Sequence, residues 1–451
     1  MKTIIFVLHD HFAVRNFLYS PFINQDFSGN NLKVVFVVDN PEKYQAAVKN
    51  KTNLILEKLE PTIDSFSQRL KNKIINFLYK TIEYRFNKIS GFKHLIVKES
   101  IPKEYIIHKA EDSFKFLVRF PLPKSKNVFS ILKWLYNSPI FLNKKAIELI
   151  NKYSPDIIIT SNPQIPHVRS YHILGKRKKI KTISYVNSWD YLTTDGPVLK
   201  DIDEFIVWNE RGKKELEEFH KTTRPIHNIG PIHMDNTFLT DYTLDKEAIC
   251  NYFNIDPKKK IIILGVYHKR LGSHEPSIAE YIAKNILPKH DAYLIIRGHP
   301  YDETYYDRYG EIGKLPGVIL CKGKRYSEIK SIEIDDQIIL YSILKNCDLL
   351  ICSATTLTLD AIRFNKPVIN IGFDGNLKIP AAASVLKKYT YTHYAPLLTS
   401  GGIDLVKSFA ELETSIDSLL AHPEIKTEGI KKSRNNTLNR LTVGRLKDFL
   451  S

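Results

Sequence analysis

Short runs of apolar residues recur along the chain, and each is followed by a polar segment. Ile4–Leu8 and Val34–Val38 are such runs near the start, and the pattern returns at Asp156–Thr160 and Thr182–Val186. Continuous apolar runs of this length are typical of strands buried on both faces of a parallel sheet. Further strands are predicted at Phe205–Trp208, Ile226–Ile229, Ile261–Leu264, Tyr293–Ile296 and Val318–Leu320, with helices at Ile278–Leu287 and Ile338–Leu344. The pattern predicts an α/β fold.

The stretch from Asn346 to Asp374 reads as strand, loop, helix and strand. Leu349–Cys352 and Val368–Ile371 are its apolar runs. Hydroxyl residues stand where the helix begins, and free N–H groups at such an end bind anions. An ordinary capped helix is the alternative, and the local sequence leaves both open. The residues concerned are Ser353, Thr355, Thr356 and the helical carboxylate Asp360.

The apolar pattern starts afresh after a polar segment that carries Asp256-Pro257, so the sequence predicts two Rossmann-like parallel-sheet domains facing across a cleft. Ligands usually bind in such a cleft. The predicted parts are a first domain at 1–233 with a helical insertion at about 61–150, a linker at 234–260, a second domain at 261–425, and a C-terminal helix at 426–451.

The helical insertion combines apolar residues at helical spacing with many lysines and arginines. One interpretation is a set of helices packed on their own sheet. The other is a basic amphipathic surface that contacts a membrane or a lipid-linked acceptor. The sequence leaves both open.

Lys and Arg number 66 against 49 Asp and Glu, which gives a net charge of +17. The excess is spread along the chain, so it suits an acidic ligand or the inner membrane surface, and no nucleic-acid motif accompanies it. The four cysteines form no metal-ligand pattern and are typical of a reduced, cytosolic protein. No apolar stretch approaches the ~20 residues needed to cross a bilayer.

Basic loops follow two strands of the predicted second domain. Arg297 and His299 leave one strand together, and His268 and Arg270 leave another. Arginine offers paired donors to phosphate, and histidine can donate to a further phosphate oxygen. These residues are therefore candidates for binding the donor phosphates. The alternative for Arg297 and His299 is a surface turn with incidental charges.

Two loops of the first domain are candidates for contact with the acceptor. Ser188, Trp189 and Asp190 follow a strand, and a tryptophan beside a carboxylate suits a sugar. Packing of Trp189 in the core is the alternative.

His9, Asp10 and His11 follow the first strand, where a general base for an acceptor hydroxyl is expected. The alternative is that Asp10 caps the next helix. The sequence leaves His9, Asp10 and Asp190 open as the base. Arg15 and Asn16 join Ser188 and Trp189 as candidate acceptor contacts.

The motifs of P-loop and dinucleotide-binding proteins are missing. Asp201-Ile202-Asp203 has the Asp-x-Asp form of metal-dependent sugar transferases, but it precedes a strand and is interpreted as surface. Neither observation indicates a metal site.

Four elements occur in an order that resembles bacterial surface-polysaccharide glycosyltransferases of the GT-B fold, a set related to CDP-glycerol glycerophosphotransferases and capsule transferases. They are Ser188-Trp189-Asp190 with Leu192-Thr193 and Gly196, Val207-Trp208-Asn209-Glu210 with Gly230-Pro231 and Asp235, Arg297-x-His299-Pro300, and Ser353-x-Thr355-Thr356 with Asp360 and Lys366-Pro367-Val368. The resemblance covers about 156 to the C-terminus. It implies that the second domain is a nucleotide-donor domain, with Arg297, His299, Ser353 and Thr355 on the phosphates, and that the first is an acceptor domain. It also implies a nucleotide-activated donor as substrate, no tightly bound metal or cofactor, and a last helix at 426–451 that returns toward the first domain. The chain departs from the pattern at 441–446, where an Asp-Gly pair is expected.

The resulting hypothesis is a cytoplasmic glycosyltransferase that moves a sugar from a nucleotide-sugar donor to a glycan or lipid-linked acceptor of capsule, O-antigen or a similar polymer. Peripheral contact with the inner face of the cell membrane is left open. The alternatives are a CDP-glycerol or CDP-ribitol type of polyol-phosphate transferase, a nucleotide-sugar epimerase of the same fold, and a non-catalytic glycan-binding protein. Nucleic acid is not expected as a partner.

Overall fold

The chain forms two compact units, one up to residue 234 and the other from residue 243 to 438 among the residues described. The structure is a computed structural model that describes residues 1–24, 31–49, 51–60, 126–136, 142–194, 196, 198–199, 201–234, 243–269, 271–324, 336–381 and 383–438. Arg270, most of the predicted insertion at 61–150, and the predicted returning helix beyond residue 438 lie outside these residues. No helix among the described residues is long and apolar enough to cross a membrane.

Unit 1 is a seven-stranded parallel sheet with strand order β3-β2-β1-β4-β5-β6-β7. Its elements are β1 (Lys2–Val7), α1 (His11–Leu18), β2 (Leu32–Val38), α2 (Gln45–Val48), β3 (Leu54–Lys58), α3 (Lys126–Tyr136), α4 (Lys144–Tyr153), β4 (Ile157–Thr160), α5 (Pro166–Lys178), β5 (Lys181–Tyr185), α6 (Tyr191–Thr194), β6 (Glu204–Val207), α7 (Glu210–Glu218) and β7 (Ile226–Asn228). β1 pairs with β4 in the register Ile4 to Ile157, and with β2 on its other side.

Unit 2 is a six-stranded parallel sheet with strand order β10-β9-β8-β11-β12-β13. Its elements are α8 (Lys246–Phe253), β8 (Lys260–Gly265), α9 (Glu275–Tyr281), β9 (Ala292–Gly298), α10 (Tyr305–Tyr309), β10 (Val318–Lys322), α11 (Asp336–Asn346), β11 (Leu349–Cys352), α12 (Leu357–Arg363), β12 (Val368–Ile371), α13 (Ala395–Leu398), β13 (Ile403–Val406), α14 (Phe409–Ala421) and α15 (Thr427–Thr437). The prediction of two Rossmann-like parallel-sheet domains is confirmed.

The strands are apolar on both faces, as their sequences indicated. All of β4, β11 and β12 is buried, and so is β1 apart from its first residue. Helices cover both faces of such sheets, so nothing polar needs to alternate along the strands. Phe6 of β1 meets Phe17 of α1, Phe22 and Phe36 with ring centroids 5.2–5.4 Å apart, and these rings fix α1 against its sheet.

Two predicted segments differ from the structure. The helix predicted at Ile278–Leu287 is α-helical only at Glu275–Tyr281 and continues as a π-helix over Ile282–Ile286. Pro288 follows, and a proline cannot donate to the carbonyl four residues earlier, so the last turns loosen. The predicted linker at 234–260 contains α8, because Asp245 accepts a hydrogen bond from Ala248 N at 2.8 Å and so caps a helix.

Gly429 of α15 lies directly against the backbone of Gly401 and Gly402. A Cβ added at Gly429 would lie 2.3 Å from the carbonyl carbon of Gly401. Replacing a helical glycine by alanine normally stabilises a helix by about 1 kcal/mol. We expect Gly429→Ala instead to destabilise the protein by about 1–3 kcal/mol, because neither backbone can move aside.

Denaturant unfolding of Gly429→Ala beside Lys432→Ala, an exposed position of the same helix, measures this difference. A Gly429→Ala protein as stable as wild type would contradict the predicted clash.

Candidate active site

Each sheet has one point where the chain reverses the direction in which it adds strands. In unit 1 this is between β1 and β4, and in unit 2 between β8 and β11. We call the carboxyl ends of these strand pairs the first and the second switch point. The loops that leave the paired strands there run to opposite faces of the sheet, and ligands of open α/β sheets bind in the gap between them.

At each switch point, one serine bridges the gap between the two loops. Ser161 directly follows β4 and hydrogen-bonds to His9, in the loop after β1, with 2.8 Å between Ser161 Oγ and His9 Nδ1. Ser353 directly follows β11 and donates to Glu275 Oε1 at 3.3 Å, at the end of the loop after β8. The two switch points are therefore built alike.

At the first switch point, His9 lies between Ser161 and Asp10. His9 Nε2 is 2.9 Å from Asp10 Oδ2, and the His9 side chain is 8% exposed. Burial works to raise the pKa of Asp10, but the hydrogen bond and charge of His9 and the N–H of Ala13 outweigh it, so the pKa lies below its usual value. Asp10 is therefore ionised at neutral pH and can only accept. The proton of a neutral His9 must then be on Nε2, which leaves Nδ1 as the acceptor of the Ser161 hydroxyl.

Asp10 also caps α1, as one of the two alternatives predicted. Its Oδ1 accepts a hydrogen bond from Ala13 N at 2.7 Å. His11 begins the same helix, and burial lowers its pKa below the usual value, with Arg15 and His9 adding to the effect against Asp10. His11 is therefore neutral near pH 7. The structure brings all three polar residues after β1 to one place.

The predicted acceptor contacts Arg15 and Asn16 lie beside this loop. Asn16 is fully buried, and its Nδ2 is 3.4 Å from both the carbonyl oxygen and Oδ1 of Asn187. Asn16 therefore ties α1 to the loop after β5 and is not placed to meet a ligand, which corrects the prediction. Arg15 donates from Nε to Asn16 Oδ1 at 3.2 Å and lies over the Phe12 ring.

The loop after β5 carries the predicted residues Ser188, Trp189 and Asp190. Trp189 is only 6% exposed, and the Arg211 guanidinium lies 4.9 Å from its ring centroid. Trp189 is therefore a packing residue, and its prediction as a sugar contact is corrected. Ser188 Oγ donates to Asp190 Oδ1 at 2.5 Å, so these two side chains satisfy each other within the loop.

Asp201 and Asp203 have other partners than a metal. Asp201 pairs with Lys176 at 2.5 Å, and Asp203 Oδ2 accepts hydrogen bonds from the backbone N and the hydroxyl of Thr182, both at 2.9 Å. Among the described residues, no three His, Cys, Asp or Glu side chains converge as metal ligands would.

In unit 2, Arg297 is not available to a ligand. It is 5% exposed, its Nη2 lies 2.5 Å from Asp336 Oδ2, and its Nη1 donates to Cys321 Sγ at 3.2 Å. The guanidinium thus forms a buried ion pair between β9 and the start of α11. The prediction that Arg297 binds phosphate is corrected for this reason.

His299, which follows β9, and His268, which follows β8, lie close together. Their ring centroids are 5.6 Å apart in an edge-to-face arrangement. His299 Nδ1 accepts a hydrogen bond from Tyr301 N at 3.2 Å, which directs the rest of the ring away from its own loop. Both histidines are partly exposed.

The hydroxyl-rich loop after β11 differs in exposure from one residue to the next. Ser353 is fully buried, and Asp360 is 7% exposed within α12, so direct contact of either with a donor is corrected. Thr355 and Thr356 are partly exposed. Thr355 Oγ1 accepts from Leu357 N at 2.9 Å, which satisfies an otherwise free N–H of the first helical turn.

Sequence reasoning missed Glu275, the central residue of the second switch point. Glu275 is fully buried, and its Oε2 accepts from Tyr267 N at 2.9 Å. Burial raises its pKa to about 7, although Arg308 and the Tyr267 N–H work in the other direction. Gly272 is needed beside it, since a Cβ there would lie 1.9 Å from Glu275 Oε2. The signal in the sequence was a charged residue at a helix start after a buried strand.

Arg308 of α10 completes the loop after β8. Its Nη1 donates to Asp302 Oδ2 at 2.6 Å and to the carbonyl oxygen of Tyr267 at 2.9 Å. Lys388 lies against Tyr267, with its Nζ buried 4.2 Å from the ring centroid, and burial lowers its pKa to about 8. Two basic side chains thus contact Tyr267 of this loop, one at its carbonyl oxygen and one at its ring.

No protein-family model matches the chain, and a sequence comparison with curated proteins gives no match. Solved structures do match in fold along almost its whole length. A glycosyltransferase from Rickettsia africae ESF-5 is 12% identical with a TM-score of 0.53, and covers 99% of this chain and 97% of its own. The S. aureus MnaA–UDP co-structure is 10% identical with a TM-score of 0.58, and covers 100% and 96%.

The UDP-GlcNAc 2-epimerase from Neisseria meningitidis bound to UDP-GlcNAc is similar to the same degree. It is 11% identical with a TM-score of 0.55, and it covers 99% of this chain and 98% of its own. These similarities concern the fold. The chain has the GT-B fold, which two parallel-sheet domains of the Rossmann type define.

We expect Arg297→Met and Asp336→Leu each to destabilise the protein by about 3–5 kcal/mol, because either leaves the opposite charge buried without its partner. The double variant should lose much less. Lys289→Met breaks an exposed ion pair with Glu413 and should cost under about 1 kcal/mol. Urea unfolding of the four variants gives these differences. A stable, fully folded Arg297→Met protein would contradict the structural role of the ion pair.

The protonation of Glu275 should make the stability of the protein fall as pH rises. Its pKa is about 7 in the folded state against an ordinary 4.5, so its contribution is complete below pH 4.5 and is lost as pH rises through 7. Between pH 5 and pH 8, wild type should lose roughly 2–3 kcal/mol relative to Glu275→Gln. Urea unfolding at both pH values measures this, with Glu428→Gln, an exposed glutamate, as control. Equal pH dependence in wild type and Glu275→Gln would refute it.

Proposed function

We propose that the protein is a glycosyltransferase that moves a sugar from a nucleotide-activated donor to a hydroxyl of a growing surface glycan, such as capsule or O-antigen. The observation that carries the proposal is the pairing of His9 with the ionised Asp10 at the first switch point. An imidazole held on one nitrogen by a carboxylate is the arrangement that general-base catalysis on a hydroxyl requires.

His9 is the proposed base among the three residues that the sequence left open. Asp10 has a lowered pKa and accepts hydrogen bonds from His9 and Ala13, so it is a weak base. Asp190 accepts from Ser188 within its own loop. His9 Nδ1, by contrast, holds only a hydroxyl hydrogen bond from Ser161, which an acceptor hydroxyl can replace.

In the proposed reaction, the acceptor hydroxyl gives its proton to His9 Nδ1 while its oxygen attacks the anomeric carbon of the donor sugar. The bond from that carbon to the nucleotide phosphate breaks, and the nucleotide leaves with the electron pair. The proton makes His9 an imidazolium, which the Asp10 carboxylate stabilises. A base placed in this way contributes about 10²–10⁴ in rate.

Unit 2 is the proposed donor-binding unit. The partly exposed residues after β8, β9 and β11 that can donate to a phosphate are His268, His299, Thr355 and Thr356. Two proteins of similar fold support the proposal of a nucleotide ligand. The S. aureus MnaA structure is a complex with UDP, and the Neisseria epimerase is bound to UDP-GlcNAc. We propose no metal or tightly bound cofactor for this step. The proposed location is cytoplasmic and peripheral to the membrane, where a lipid-linked acceptor is accessible.

Epimerisation of a nucleotide sugar is the second candidate, because UDP-GlcNAc 2-epimerases share the fold. An epimerase needs no acceptor. NMR spectra of UDP-GlcNAc incubated with the protein alone distinguish the two, since a second hexosamine signal appears only if the sugar is epimerised.

The first test is thermal stabilisation by UDP, CDP, GDP, dTDP and CMP, because a ligand of the native state raises the unfolding midpoint. Nucleotide release from the matching nucleotide sugars is then measured with and without a polysaccharide or glycolipid extract of the source cells. We expect release that depends on the extract, and a 10²–10⁴-fold lower rate for His9→Gln at an unchanged nucleotide midpoint shift.

His290→Gln is the matched control, since His290 forms a similar pair with Asp417 on the surface of unit 2, at 2.7 Å. Full activity of the His9→Gln protein would show that His9 is not the base. No stabilisation by any of the nucleotides would count against a nucleotide-activated donor.

A further inference from the structure

Helix α3 in unit 1 exposes two large apolar side chains side by side. Trp134 is 64% exposed and Ile131 is 57% exposed. They are three residues apart, so they lie on the same flank of the helix. Val128 and Leu135 of the same helix pack on the buried core of unit 1. The helix is therefore fixed to unit 1 by one face while an adjacent face presents a tryptophan and an isoleucine to the surroundings.

The sequence that contains this helix carries charge of one sign. In the sequence, residues 113–147 contain seven Lys or Arg and no Asp or Glu. Lys126 and Lys133 belong to α3 itself, and the exposed Lys144 begins the next helix. An exposed tryptophan together with lysines and no acidic residue is the composition of a helix that lies in a membrane interface.

We propose that the exposed face of α3, centred on Ile131 and Trp134, binds the surface of a lipid bilayer that contains anionic lipids. Trp134 and Ile131 enter the boundary between head groups and acyl chains, and the excess of positive charge in the sequence around α3 attracts the anionic head groups. Each Lys or Arg near such a surface strengthens binding about fivefold at physiological ionic strength. A second copy of the chain is a poorer occupant, because two proteins of charge +17 repel each other.

This contact extends the proposed function to the surface that would bring the enzyme to a lipid-linked acceptor, but its measurement needs no substrate. Failure to bind vesicles would therefore leave the transferase proposal standing, and inactivity toward nucleotide sugars would leave the membrane contact standing.

Tryptophan fluorescence reports on this helix selectively. The chain has three tryptophans, and Trp189 and Trp208 are 6% and 2% exposed. The full-length protein is mixed with vesicles of phosphatidylcholine alone or with 30% phosphatidylglycerol. We expect a blue shift of emission and quenching by brominated lipid only with the anionic vesicles, weakening as salt is raised. Trp134→Phe should lose the shift but still sediment with the vesicles.

The double variant Ile131→Ser/Trp134→Ser should lower the vesicle partition coefficient at least roughly tenfold, since the apolar contribution is removed. Ile425→Ser is the matched control, because Ile425 is equally exposed at 55% on unit 2. Unchanged partition of the double variant would overturn the proposal. So would protection of Trp134 from acrylamide in the free protein, or a solution mass of two chains, because another occupant would then cover this face.

Discussion

A serine hydroxyl bridges the gap at the switch point of each sheet, and the candidate site depends on this contact. Where the sheet reverses, the loops after its first and fourth strands diverge and leave polar groups facing each other across an opening. Ser161 closes the opening in unit 1 by hydrogen-bonding to His9, and Ser353 does so in unit 2 through Glu275. These contacts add to the bonds that Asp10 makes in the first loop and Arg308 makes in the second. The orientation of His9 and the course of the loop after β8 follow from them.

The two bridges differ in the groups that they hold. In unit 1 the serine meets an imidazole that is paired with an ionised carboxylate, so the site has a proton acceptor held in one orientation. In unit 2 it meets a buried carboxyl group with a pKa of about 7, supported by the Tyr267 N–H and near Arg308. The first arrangement suits the proposed chemistry on a hydroxyl, and the second suits a loop that keeps its shape beside His268 and His299, the proposed contacts of the donor phosphates.

Much of the fold was predictable from the sequence because the strands of a buried parallel sheet are continuous apolar runs. Such runs can be recognised without knowing which strands pair. The prediction of helices failed where two local signals compete. Pro288 altered the end of a helix that its apolar spacing had extended, and α8 was hidden in a polar segment because only Ile249 and Cys250 mark its buried face. For the site, the sequence placed His9, Asp10, His268 and His299 in loops that follow strands, and they lie in such loops. Burial of Arg297 was not predictable, because its partner Asp336 lies 39 residues away in the chain.

The two carboxylate oxygens of Asp10 make two different contacts. One oxygen caps α1 and the other faces His9, so the carboxylate that would orient a catalytic base also begins a helix. Loss of this cap would cost about 0.5–2 kcal/mol, so a substitution here affects the fold as well as the proposed chemistry. Ser, Thr or Asn would still cap the helix, but none of them carries the negative charge that holds His9. An exchange of Asp10 for a neutral capping residue in a related chain would therefore mark a protein that keeps this helix and has given up the proposed base.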